Sequence, residues 1–176
     1  MKKVTFFALI SIGMGCIAYA DDVPARLTPQ DVSTILKERG ASDTIVFLSK
    51  SGQWASSVLP GVESGEAAWL QVARALHKGA DAGGSEDLED AMLLAALKVP
   101  YSVLPILKEF WWKEPGSTCV FGYDSELPGG VATYVNNLKT ALNKQLPGGA
   151  SQKLHDECLH GIEVTLKDVR ENDHQG

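Results

Sequence analysis

Between Ser64 and Leu107 the apolar residues recur with a helical period. Trp69, Val72, Ala73 and Leu76 stand at i, i+3, i+4 and i+7 and so share one face of a helix. Ser64 is the expected N-cap, Glu66 falls in the first turn and Gly79 follows the last. A second helix is predicted from Ser85, its N-cap, to Lys98, with Leu88, Ala91, Met92, Ala95 and Val99 in register. Glu86, Asp87, Glu89 and Asp90 lie at its start and Lys98 at its end, an arrangement that suits the helix dipole. Pro100 ends it, and Val103, Leu104, Leu107 and Phe110 mark a third helix over Tyr101 to Trp112.

The flanks continue the pattern. Thr28-Pro29-Gln30-Asp31 is a helix start, with Thr as cap, Pro at the first helical position and an acid at the third. Val32, Ile35 and Leu36 form its buried face and Gly40 stops it. Thr44 to Leu48 is β-branched enough for a strand, but no second such segment exists to pair with it, so a short helix capped by Ser42 is expected. Another runs over Gln53 to Val62, bent by Pro60. Lys113 to Gly130 reads as a long loop. Val131, Tyr134, Val135, Leu138 and Leu142 define a helix stopped by Pro147-Gly148-Gly149. Ser151 caps the last one, with Leu154, Cys158, Ile162, Leu166 and Val169 along one face and a polar tail from Glu171. The fold class expected is all-α: a compact single domain of about seven or eight short helices in antiparallel pairs.

The first twenty residues stand apart. Lys2 and Lys3, the apolar run Val4 to Ile12 and the small-x-small Ala18-Tyr19-Ala20 form a secretory signal cleaved after Ala20. Removing it leaves 156 residues and takes the formal net charge from −6 to −8, because the signal carries two lysines and no acid. That charge argues against nucleic acid or an anionic membrane as partner and suits a cationic protein. Cys16 leaves with the signal; Cys119 and Cys158 are then expected to form one disulfide, worth roughly 4 kcal/mol in the chain-entropy model.

No catalytic or cofactor motif is present. Gly61-Val62-Glu63-Ser64-Gly65 has the wrong spacing for a nucleophile elbow, and Gly79, Gly83 and Gly84 follow no strand as a phosphate loop requires. His155, Cys158 and His160 do not share a helix face, so no metal is expected. The acids Glu86 to Asp90 could serve a glycan hydrolase, but helix-start electrostatics explains them. Phe110-Trp111-Trp112 cannot all face one way on a helix, so at least one ring should be exposed, either as an anchor or as a lid over the disulfide loop. The expected partner surface is the loop from Trp111 to Glu126, with Trp111, Trp112, Asp124 and Glu126 as its contact residues.

Trp69-Leu70, Val72-Ala73, Leu76, Gly79 to Ala82, Leu88, Ala96-Leu97 and Val103-Leu104, followed by two cysteines, resemble small exported helical proteins of Gram-negative bacteria. Among those the chain is similar to periplasmic immunity proteins that neutralise peptidoglycan amidases delivered by type VI secretion. The resemblance implies a non-enzymatic inhibitor, without cofactor, that plugs the groove of a cationic secreted hydrolase with an acidic helical surface. Two alternatives stay open, an envelope hydrolase using the clustered carboxylates and an envelope scaffold or ligand carrier, as does pairing of the chain with itself.

Overall fold

The structure is a computed structural model that describes residues 26–145, 148 and 151–173. The signal segment and its cleavage after Ala20 lie outside the described residues, as do Pro147 and Gly149. The described residues form eight α-helices and no strand: α1 Pro29–Arg39, α2 Ala41–Lys50, α3 Leu59–Glu63, α4 Ala67–Leu76, α5 Ala82–Ala96, α6 Pro100–Phe110, α7 Val131–Lys144 and α8 Ser151–Asp173. A π turn, Trp54–Val58, leads into α3, and a 3₁₀ turn, His77–Gly79, follows α4. The all-α expectation holds, and among the described residues no helix is long and apolar enough to cross a membrane.

The helix α5 is the central element. It packs on α3 on one side and α6 on the other, and α7 pairs with α8 beyond α6. Leu88, Ala91, Met92, Leu93, Ala95 and Ala96 are all buried, which places apolar side chains on most of its circumference. The helices α1, α2 and α4 pack together on the far side. One core runs through both halves, from Val32 and Leu48 through Leu76 and Leu104 to Leu138 and Ile162.

The cap at Thr28 forms as expected: Asp31 N–H donates to Thr28 Oγ1, and Thr28 N–H donates back to Asp31 Oδ2. Ser42, Ser64 and Ser85 do not hold the capping role expected of them. Gly40 precedes α2, Glu66 precedes α4, and Asp81 caps α5 by accepting from Gly84 N–H at 2.9 Å. Ser64 instead closes α3, where its hydroxyl donates to Gly61 C=O. Pro60 accounts for the π turn, since it has no N–H for the Ser56 carbonyl and its ring crowds that oxygen. The turn widens, and Leu59 N–H reaches Trp54 C=O instead.

The segment after α6 is the expected loop, and Cys119 in it is bonded to Cys158 of α8, with Cα atoms 4.9 Å apart. The last helix also extends to Asp173, beyond the expected start of the tail at Glu171.

Candidate functional site

Because α5 begins at Ala82, Glu86 to Asp90 lie in its second and third turns. They are past the free N–H groups of the first turn, so the helix dipole no longer explains them. Glu86, Glu89, Asp90 and Leu93 stand at i, i+3, i+4 and i+7 and form one wall of a cleft of about 320 Å³. The loop supplies the opposite wall, Phe121, Ser125, Glu126 and Leu127. Four carboxylates thus surround a floor of Leu93, Phe121 and Leu127. Among the described residues none of the four has a basic partner: the ion pairs present are Arg74–Glu109, Lys108–Glu157, Lys153–Glu157 and Lys167–Glu171, and the His155–Asp156 contact lies elsewhere. Asp87 points elsewhere and accepts from Trp54 Nε1–H at 2.8 Å.

The crowding shows in the proton affinities. Burial pushes the Glu89 carboxyl above its ordinary range, and the charges of Asp90 and Glu86 push it further. Asp90 is raised by partial burial, then by Asp87, Glu86 and Glu126. Tyr134 lies fully buried near Glu89, its phenol raised first by burial and then by that carboxylate, with its hydroxyl donating to Leu93 C=O at 2.9 Å.

The loop wall is fixed by one face of α8. Cys158, Gly161 and Thr165 stand at i, i+3 and i+7. Cys158 holds Cys119, and Thr165 Oγ1 accepts from Phe121 N–H at 2.9 Å. At Gly161 the loop comes so close that a Cβ would lie 2.0 Å from Thr118 O. Cys119 itself takes φ 58°, a left-handed conformation uncommon for a residue with a side chain.

The four expected contact residues do not share a surface. Glu126 lines the cleft, and Asp124 is exposed on the same loop. Trp111 is half-buried beside α4, edge-on to His77 at 4.9 Å and to Phe110 at 5.5 Å. Trp112 is 6% exposed and packs edge-on against Phe121, which meets Tyr134 in turn, so it is a core residue and not a surface anchor. The reason is local: α6 ends at Phe110, and the chain after it escapes the helical spacing that would have splayed the rings. Among the described residues the exposed aromatic is Tyr123, at 55%, a residue not among the four expected contacts.

Among the described residues no three His, Cys, Asp or Glu side chains could hold a metal ion together. His155 is buried, with Nδ1 3.1 Å from Asp156 Oδ1, and Cys158 is consumed in the disulfide.

No protein-family model, no curated protein and no solved structure matches the chain.

Proposed function

We propose that the chain is a non-enzymatic periplasmic inhibitor, an immunity protein that binds and blocks a cell-wall-degrading toxin, and that its acidic cleft receives basic side chains of that toxin. The observation that carries this reading is the set of unpaired carboxylates, Glu86, Glu89, Asp90 and Glu126, gathered in one cleft. Such a cluster costs the isolated protein electrostatic energy, and a cationic partner would remove that cost. The rigid attachment of the loop to α8 supports the same reading, since little ordering entropy is left to lose on binding. A disulfide is also compatible with an exported protein.

Co-purification with a secreted peptidoglycan hydrolase, followed by assay of its activity, tests the proposal. The protein should bind and inhibit. Glu86→Gln with Asp90→Asn, and separately Glu126→Gln, should each weaken binding about tenfold, or roughly 1.4 kcal/mol. Both losses should shrink as salt rises, because screening already weakens the parent contacts. Failure to bind or inhibit any such hydrolase removes the idea; variants that bind like the parent move the interface away from the cleft.

One observation favours a second reading, an envelope hydrolase. Glu89 is half-buried with a raised proton affinity, as a general acid must be. Cell-wall turnover by the parent that vanishes when Glu86, Asp87, Glu89 and Asp90 become amides would establish it. An inactive parent excludes it.

A further inference from the structure

A second concavity, sharing no residue with the acidic cleft, lies where the chain enters α1 and passes α3 and the start of α4. It measures about 310 Å³, and Trp69 forms part of its wall. Trp69 is only 7% exposed, yet its Nε1–H has no acceptor among the described residues. Nor is that donor sealed off: among the described residues the one enclosed side-chain nitrogen or oxygen without a partner is His155 Nε2. Gly61, in the same wall, packs so closely on the indole that a Cβ there would lie 2.4 Å from the two ring-fusion carbons and 2.8 Å from Nε1. The π turn contributes Ser57 to this wall, and such turns recur at functional sites.

The other hydroxyls of the concavity are already committed. Ser57 donates to Gln53 Oε1 and accepts from Leu27 N–H. Ser64 donates to Gly61 C=O and accepts from Glu66 N–H. Thr28 donates to Asp31. Three groups stay open: the Trp69 donor inside, and the guanidinium of Arg26 and carboxylate of Glu66, both exposed and neither in an ion pair among the described residues. One donor, one cation and one anion call for a ligand with an acceptor oxygen and both charges. We infer that this pocket binds a compact zwitterion, a free amino acid or short peptide, with its carboxylate at Trp69 Nε1–H and Arg26 and its ammonium at Glu66. Leu27, Pro29 and Pro60 offer apolar contact to a small aliphatic side chain. The volume stands at the lower end of ligand pockets, which run from about 300 to 1,000 Å³.

The experiment is a titration of the ¹⁵N-labelled protein with alanyl-alanine, read at the indole N–H resonance of Trp69. Its loss in Trp69→Phe assigns that peak, and triple-resonance assignment serves if the variant does not fold. A saturable shift at millimolar ligand is expected. N-acetyl-alanine, which lacks the ammonium, and alaninamide, which lacks the carboxylate, should bind at least about tenfold more weakly. Arg26→Gln and Glu66→Gln should each raise Kd by about the same factor. A Trp69 peak that does not move, equal shifts with the two blocked analogues, or unchanged affinity in both charge variants would overturn the assignment.

Discussion

Glu89 and Asp90 hold their protons more tightly than free carboxyls because burial and neighbouring acids both oppose their charge. The folded state therefore binds more protons than the unfolded one between the two pKa values, and this part of the stability falls as pH rises through that window. The penalty is complete above the folded-state values and absent below the unfolded ones. Glu89→Gln should accordingly raise the melting temperature at pH 7 while weakening partner binding. Glu89 is about half-exposed, so solvent screening limits the gain to about 1 kcal/mol or less, or roughly 2–4 °C at most. The advantage should vanish in melts recorded near pH 4, and a variant less stable than the parent at pH 7 would refute this account of the cleft. The two tryptophans differ in a parallel way. Trp112→Ala should cost about 3–5 kcal/mol because it empties a core site against Phe121. Trp111→Ala, at a half-buried ring, should cost clearly less by thermal melting. This difference was not legible in the sequence. Which of two adjacent rings turns inward depends on the residue where α6 stops, and nothing local to Phe110-Trp111-Trp112 marks that point.

The elements themselves were readable where apolar spacing is long and regular. The buried faces of α4, α5, α7 and α8 follow from Trp69 to Leu76, Leu88 to Ala96, Val131 to Leu142 and Cys158 to Ile162. Helix ends were less so. Ser42, Ser64 and Ser85 each offered a hydroxyl, but Gly40, Glu66 and Asp81 precede the helices. At α5 the difference of one turn matters, because it moves Glu86 to Asp90 from the dipole's reach to the middle of a helix face. Asp81 wins because Gly83 and Gly84 are tolerated inside the helix, Gly84 being buried near Ile45 of α2. Gly161 carried a signal too, since a glycine inside an otherwise regular helix points to close backbone approach. In α8 it admits the Thr118 carbonyl. Gly161→Ala should therefore destabilise despite the better helix propensity of alanine. The gain of about 1 kcal/mol is outweighed by an overpacking cost at or above the upper part of about 1–3 kcal/mol, because the clash is with backbone. Denaturant unfolding measures the balance, and a Gly161→Ala variant as stable as the parent would mean that the loop is not seated on α8.

At the scale of the whole molecule, the cleft exists because two segments far apart in sequence are held a fixed distance from each other. One is α5, buried between α3 and α6. The other is the loop, fastened to α8 by the disulfide, the Gly161 contact and the Thr165 hydrogen bond. Sequence pattern offered both acidic segments, Glu86 to Asp90 and Asp124 to Glu126, as separate candidates; only the packing of α8 brings Glu126 to the first of them. Opening the disulfide should thus affect function more than fold. Cys119 and Cys158 belong to the same core, but most of its buried residues, from Val32 through Leu76 and Leu88 to Leu107, precede the bridged segment in the chain. Replacing both Cys119 and Cys158 by Ala should lower stability by up to about 4 kcal/mol, a large share of the roughly 5–15 kcal/mol typical of a domain, without abolishing folding. Far-ultraviolet circular dichroism at low temperature should remain helical while the melting temperature falls. Binding of the proposed cationic partner should weaken more than the Glu126→Gln substitution alone weakens it, because the variant loses the loop wall and must order that wall again on association. Equal melting curves for parent and double variant would show that the bridge contributes no stability, and unimpaired binding by a destabilised variant would separate the loop from the partner surface.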